Sequence, residues 1–296
     1  MTEIRKRGKL GRLAKKTDER TLQFAKYLKT DLPTAPANAD YSANIADWGM
    51  MFNDQYGDCT IAAIGHLIEA WTKGQTIIPD KDILNFYFAI TGGQDTGCNE
   101  LDVLNAWANT GLDSDKIGAF AQVTPTNLDE VKQGIYLFNG LYIGVNLPQS
   151  AEDQFQAGEN WTVSGDNTIL GGHAVILVGY DADYVYLVTW GQLVKATWDW
   201  FTTYTEESYV LIDNDYFTGA KTAEGFDLDT LRSDLVAISD GTYNVAPVTP
   251  PTPPITPTHL SIWQDIEKWF EDTFEKKAES MQEAFNKLYL KIINEK

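Results

Sequence analysis

The 296-residue sequence predicts an α+β protein: a mostly helical half, then a mostly β half, then a separate amphipathic helix at the C-terminus. Three observations predict it. Between residues 58 and 111 apolar residues recur every three or four positions, and two of the runs stop at Gly74 and Gly111. From about residue 117 the pattern changes to short β-branched and aromatic runs broken by Gly, Asp and Asn. Beyond a Pro/Thr-rich stretch at 245–258, helical periodicity returns and continues to the end.

The elements follow in order. Residues 1–44 form a basic arm and an extended lead-in. The first twenty hold eight Lys and Arg against three Asp and Glu, a net +5 that leaves −24 on the rest of a chain whose formal charge is −19. Such an arm is expected to lie solvated on the protein's own acidic surface, the alternative being an acidic partner. Pro33 and Pro36 interrupt the lead-in. The domain proper spans 45–244, its helical half ending near 116. A first helix is expected from Asp58 or Cys59 to about Lys73, its apolar face built by Ile61, Ile64, Leu67, Ile68 and Trp71. Helices at Asp82 to Ile90 and Leu101 to Asn109 follow. "LYIGVNL", "HAVILVGYD", "YVYLVTWG" and "SYVLID" are the expected strands. The stretch "VAPVTPPTPPITPT" is a stiff polyproline spacer. After it, across 259–296, Ile266, Phe270, Phe274, Met281, Phe285, Leu288 and Ile292 recur at helical spacing, widened by Trp263 and Trp269. So broad an apolar stripe is expected to hold a protein partner or a second copy through residues 260–296.

Composition excludes several classes. An apolar fraction of 43% suits a packed core, and no apolar run is long enough to span a membrane. The basic N-terminus lacks the apolar stretch of a signal peptide, so the expected location is cytoplasmic or inside a large particle such as a virion. Two cysteines cannot form a disulfide framework. The acidic balance argues against nucleic acid binding by the folded body. Three scattered histidines and two cysteines have no metal-ligand spacing, and no phosphate-binding glycine loop occurs, so no metal or cofactor is expected.

"NDQYGDCTIAAIGHLIEAW", residues 53–71, puts Cys59 at the mouth of a helix, where the helix dipole favours thiolate. A cysteine alone there is more readily a core residue. A nucleophile also needs a base. His66 lies on the same helix, about 10 Å further along at 1.5 Å per residue, and His259 lies in the spacer. That leaves His173, opening the strand "GGHAVILVGYD".

Together these segments resemble the papain-like cysteine peptidases over roughly residues 45–215. "DWGMMFNDQYGDCTIAA" is similar to that family's Asp-Trp, Gln, Gly-x-Cys and small-residue helix; "GCNELDVLNAW" to the stretch ending its helical half; "GGHAVILVGYD" to its His-Ala-Val-x-x-Val-Gly-Tyr; and "VTWG" to its Asn-Ser-Trp-Gly. The resemblance implies a helical half carrying Cys59, a twisted antiparallel β half carrying His173, and a cleft between them. It makes Cys59 the nucleophile, His173 the base, Gln55 the oxyanion donor and Thr189 the group steadying His173, in a thiol hydrolase acting on peptide or protein. The departures are as plain. The Gln55–Cys59 interval is four residues where the family has six, and the family's asparagine falls on Thr189 or, with the Trp-Gly aligned, on Val188. The alternatives are a weak or inactive papain-fold structural component, anchored by its arm and C-terminal helix in a larger assembly, and a hydrolase of peptidoglycan or isopeptide bonds. No prosegment of the usual size is seen, so activation by self-cleavage is not expected.

Overall fold

The computed structural model describes residues 5, 7–30, 32–113 and 115–238, all within one compact unit. The expected spacer at 245–258 and the C-terminal helix at 259–296 lie outside the described residues.

The helical half comes first, as the periodicity requires. Helix α1 (Cys59–Trp71) is buried from Cys59 to Ala70, α2 (Asp80–Thr91) closes on Gly92 in the left-handed conformation, and α3 (Glu100–Asn109) follows. The β half is a seven-stranded, wholly antiparallel sheet. Strands β2 (Ile117–Gln122), β3 (Leu141–Pro148), β4 (Ile169–Tyr180), β5 (Tyr184–Thr189), β6 (Gln192–Thr197) and β7 (Thr205–Asp213) lie in the order β2-β7-β3-β4-β5-β6, with the short β1 (Ala39–Asp40) paired to the end of β4.

Strand alternation sends side chains to opposite faces, and here each face has its own core. Tyr142, Ala174, Ile176, Val178, Tyr209 and Leu211 pack with α1, α2 and α3. Ile143, Val145, Val175, Leu177, Val210 and Ile212 face the other way, toward helices α4 (Leu128–Phe138), α5 (Gln149–Ala157) and α6 (Trp198–Tyr204). The sequence pattern did not mark these three. They are short, and their apolar positions stand between β-branched runs; α4 is set by the Asn127 side chain accepting the Glu130 N–H at 3.3 Å. Beyond β7 lie α7 (Asn214–Thr218) and α8 (Leu228–Ile238).

The lead-in departs from the extended segment expected of it. Phe24 and Tyr27 are buried in a one-turn 3-10 helix, and Phe24 packs on Phe226 and Phe138 with ring centroids 5.9 and 6.0 Å apart. Burying two aromatic rings outweighs the preference for solvated coil. The arm departs further. Residues 9–14 enter the groove between the helical half and the sheet and bond to both.

Candidate active site

Cys59 is the first residue of α1, with Asp58 in the N-cap position. Its thiol is buried and free. Burial pushes the thiol up to about 12, against the opposing pull of backbone N–H groups from Ala174 and Gly11 that face the sulfur. The helix terminus therefore does not yield a thiolate in this closed arrangement, because desolvation outweighs it. Asp58 is equally buried. Its Oδ1 accepts from Asn53 Nδ2 at 3.1 Å and it makes no capping bond; burial raises its carboxyl to about 7.

Ala174 follows His173 on β4, so the residue whose backbone N–H faces the sulfur is the chain neighbour of the histidine. His173 pairs across the sheet with Val145 and is buried. Its Nε2 lies 2.8 Å from Thr189 Oγ1, at the end of β5. Trp190, the next residue, lies over the ring, centroids 4.9 Å apart and planes inclined by 30°. His173 Nδ1 is buried and has no hydrogen-bond partner among the described residues. Burial, aided by the Arg12 charge, depresses the ring to about 3, so it is neutral here.

Gln55 and Asn53 occupy different surroundings. Gln55 is exposed. Asn53 is buried and, through Nδ2, donates to Lys9 O, Tyr56 O and Asp58 Oδ1, each at 3.1 Å. Asn53 stands six residues before Cys59, the interval missing for Gln55. That spacing was the signal available in the sequence.

The arm fills the groove. Lys9 N–H donates to Asn53 O at 2.7 Å, Cys98 N–H to Gly11 O at 2.9 Å, Arg12 N–H to Gly172 O at 3.2 Å, and Leu13 N–H to Cys98 O at 2.9 Å. The arm thus joins the loop before α3 to the strand of His173. Gly11 passes so close to Gly57 that a Cβ on it would overlap the Gly57 carbonyl oxygen, and a Cβ on Gly97, at φ +78°, would overlap the Gly11 carbonyl oxygen. At the sulfur the arm offers an N–H, its Gly11 carbonyl being bonded to Cys98. A concavity of about 300 Å³ between residues 18–22, α3 and β2 lies apart from Cys59, since the groove at the cysteine is occupied.

Arg12 is the surprise of the arm. Instead of lying solvated it is buried, with its guanidinium bonded to Glu207 at 2.8 Å, Glu206 at 2.7 Å and Asn146 Oδ1 at 2.9 Å. Three acceptors from two strands outweigh the cost of desolvating one arginine. No group of His, Cys, Asp and Glu among the described residues has the arrangement of a metal site, and no helix there is long and apolar enough to cross a membrane.

No protein-family model matches the sequence, and no curated protein does either. Solved structures do. Xylellain, a cysteine protease from Xylella fastidiosa, superposes with a TM-score of 0.56 at 14% identity, covering 72% of this chain and 99% of that one. The ragweed pollen cysteine protease Amb a 11, in its proform, gives 0.50 at 12% identity over 66% and 71% of the two chains. The fold is thus that of the papain-like cysteine proteases, here in a divergent form.

Proposed function

We propose that this protein is a papain-like thiol hydrolase, most simply a cysteine peptidase, in which Cys59 and His173 react and residues 9–14 close the groove until displaced. The observation that carries this is a backbone contact at one sulfur: Cys59, at a helix mouth, meets the N–H of Ala174, the residue that follows His173, and the imidazole in turn is bonded to Thr189.

The chemistry follows from the groups present. With the arm displaced, water and substrate replace Gly11, and the desolvation holding thiol and imidazole neutral is relieved. The thiol proton passes to His173 Nδ1, while Nε2 stays on Thr189. The thiolate attacks a peptide carbonyl. The Cys59 N–H and Asn53 Nδ2, the donor now holding the Lys9 carbonyl, receive the oxyanion, a part the sequence had given to Gln55. His173 returns its proton to the leaving amine, an acyl-enzyme forms, and water deprotonated by His173 releases the acid and restores the thiol.

The test uses the full chain. Gly11→Ala puts a Cβ where the groove has no room, freeing the arm without touching the body. That variant is expected to hydrolyse a mixed library of fluorogenic peptides, and the same variant with Cys59→Ala is not. Equal, background-level release from both would end the hydrolase proposal.

A further inference from the structure

We infer that the acidic pocket holding Arg12 is a substrate-selecting site, and that the groove takes peptides with an arginine next to the residue whose carbonyl meets Cys59. This rests on the hydrolase proposal above and adds its substrate class.

The pocket is assembled from distant parts of the chain: Glu100 opening α3, Asn146 of β3, and Glu206 and Glu207 of β7. Its position relative to the reactive groups is fixed by the arm. Gly11 faces the Cys59 sulfur, and Arg12, one residue on, bonds through its backbone to Gly172, the neighbour of His173. A peptide running antiparallel to the arm, with its scissile residue where Gly11 lies, therefore delivers the side chain on the acyl side of that residue into this pocket. Arg12 fills it with a side chain only 1% exposed, one terminal nitrogen on Glu207 and the other on Glu206 and Asn146. A forked guanidinium reaches separate acceptors with its two nitrogens; an ammonium presents a single nitrogen.

The carboxylates are more numerous than one arginine requires. Both Glu100 oxygens are buried without a hydrogen-bond partner. A Cβ built on Gly144 would meet Glu100 Oε1, Arg12 Cδ and Glu207 Cγ, at 2.6, 2.7 and 2.8 Å, so these groups converge on one space. Glu207 is already oriented, accepting the Tyr209 hydroxyl at 2.8 Å on the oxygen Arg12 leaves free. Emptied of Arg12, the pocket is a buried acidic site with pre-set acceptors and no cation bonded inside it, Lys15 acting on Glu100 and Glu207 only as a nearby charge. A substrate arginine restores the cation.

The experiment uses the full chain carrying Gly11→Ala and Arg12→Ala, so that the arm neither covers the sulfur nor refills the pocket. Peptidyl ketone electrophiles that alkylate thiols are offered with arginine, its neutral isostere citrulline, or leucine beside the residue bearing the electrophile. The arginine probe is expected to label Cys59 about tenfold or more faster than the citrulline probe, as befits loss of a buried charge-assisted contact. Glu207→Gln should narrow that ratio. Glu206→Gln, on a half-exposed side chain, should narrow it too if the Glu207 variant folds poorly. A readout needing no reactive thiol is thermal stabilisation by acetyl-arginine amide but not by acetyl-citrulline amide. Equal labelling by the two probes, an arginine preference that survives both Gln variants, or no stabilisation by the arginine amide would reduce the pocket to an anchor for the arm. Selective labelling without peptide turnover would instead leave the pocket assignment standing and remove the hydrolase proposal.

Discussion

Cys59 and Cys98 make an instructive pair. Both are buried free thiols, and burial pushes both up to about 12. Both stand beside the arm, since the Cys98 backbone bonds to Gly11 and Leu13. The difference lies in what surrounds each sulfur. The Cys98 sulfur sits beside the Thr60 side chain of α1, inside the helical core. The Cys59 sulfur faces Gly11, a residue of the arm. Burial and a raised thiol therefore do not separate the proposed nucleophile from the other cysteine. What separates them is whether part of the burial can leave. The two buried histidines repeat the lesson. His66, held by the Gly49 carbonyl within α1's own surroundings, is depressed to about 4, much as His173 is depressed to about 3, but only His173 owes part of its shift to the arm's Arg12.

The largest effect expected from this contrast is in turnover. In the arm-released Gly11→Ala protein, Cys59→Ala should lower peptide hydrolysis by about 10³-fold or more, the scale of losing a nucleophile. Cys98→Ala should lower it far less. Comparable losses from both would mean that the two cysteines act alike, and initial rates on one fluorogenic peptide decide it.

Next in size is thiol reactivity. Releasing the arm moves the Cys59 thiol from about 12 back toward the ordinary range near 8.5, and each unit is worth tenfold in thiolate. Iodoacetamide at pH 7 should alkylate Cys59 in Gly11→Ala at least about tenfold faster than in the intact chain. Cys98 should be unchanged, and peptide mapping assigns the label. Parallel acceleration at both sites would indicate general loosening of the fold rather than departure of the arm.

A smaller contrast is in acid stability. A histidine depressed on folding contributes stability that is present above its unfolded value near 6.5 and is lost as pH falls through its folded value. His173 and His66 both do this, through about 3 and about 4. Freeing the arm rehydrates only His173. The intact chain should therefore lose stability more steeply than Gly11→Ala between pH 6.5 and 4. Asp58 has the opposite sign: its carboxyl, raised to about 7, contributes stability below its unfolded value that is lost as pH rises through 7. Both proteins should accordingly carry Asp58→Asn, together with Glu100→Gln and Glu207→Gln because Arg12 acts on both carboxyls, when urea midpoints are compared. Identical slopes would show that the arm does not set the His173 environment.

Much of this was legible in the sequence, for identifiable reasons. Cys59 at a helix mouth is a local pattern, and the helix from Cys59 to Trp71 and the strands at 141–148 and 208–213 follow from apolar spacing. His173, expected to open its strand, instead lies five residues into β4, and β7 begins three polar residues earlier than its apolar run. The residue to which the proposal gives the oxyanion, Asn53, can also be reached from the sequence, by counting six back from Cys59 rather than searching for a glutamine. The arm was not. Its net charge describes a solvated segment, and nothing near Arg12 in the chain announces that Glu100, Glu206 and Glu207 meet in space. Nor does sequence reveal that Gly11 has no room for a side chain, because the atom it would strike belongs to Gly57.

The smallest expected effect concerns Thr189, and it tests how the base is held. Thr189 Oγ1 and His173 Nε2 are 2.8 Å apart in a buried contact; the proposed mechanism requires the hydroxyl to accept the Nε2 N–H, so that the unpartnered Nδ1 takes the proton. His66 holds the same nitrogen against a backbone carbonyl, which no side-chain change can remove. In the arm-released protein, Thr189→Asn keeps an acceptor and adds reach, so hydrolysis should hold or rise severalfold. Thr189→Val keeps the shape but strands a buried N–H, at a cost of about 1–3 kcal/mol. It should lower kcat with little change in KM, because the group orients the base and does not touch substrate. The pH profile separates orientation from mere packing. If Thr189 fixes the tautomer, Val should shift the acidic limb of kcat/KM, which reports the free imidazole, while Asn leaves it in place. Should Val and Asn behave alike in rate and in profile, Thr189 serves only to pack beneath Trp190, and His173 is held by the ring above it.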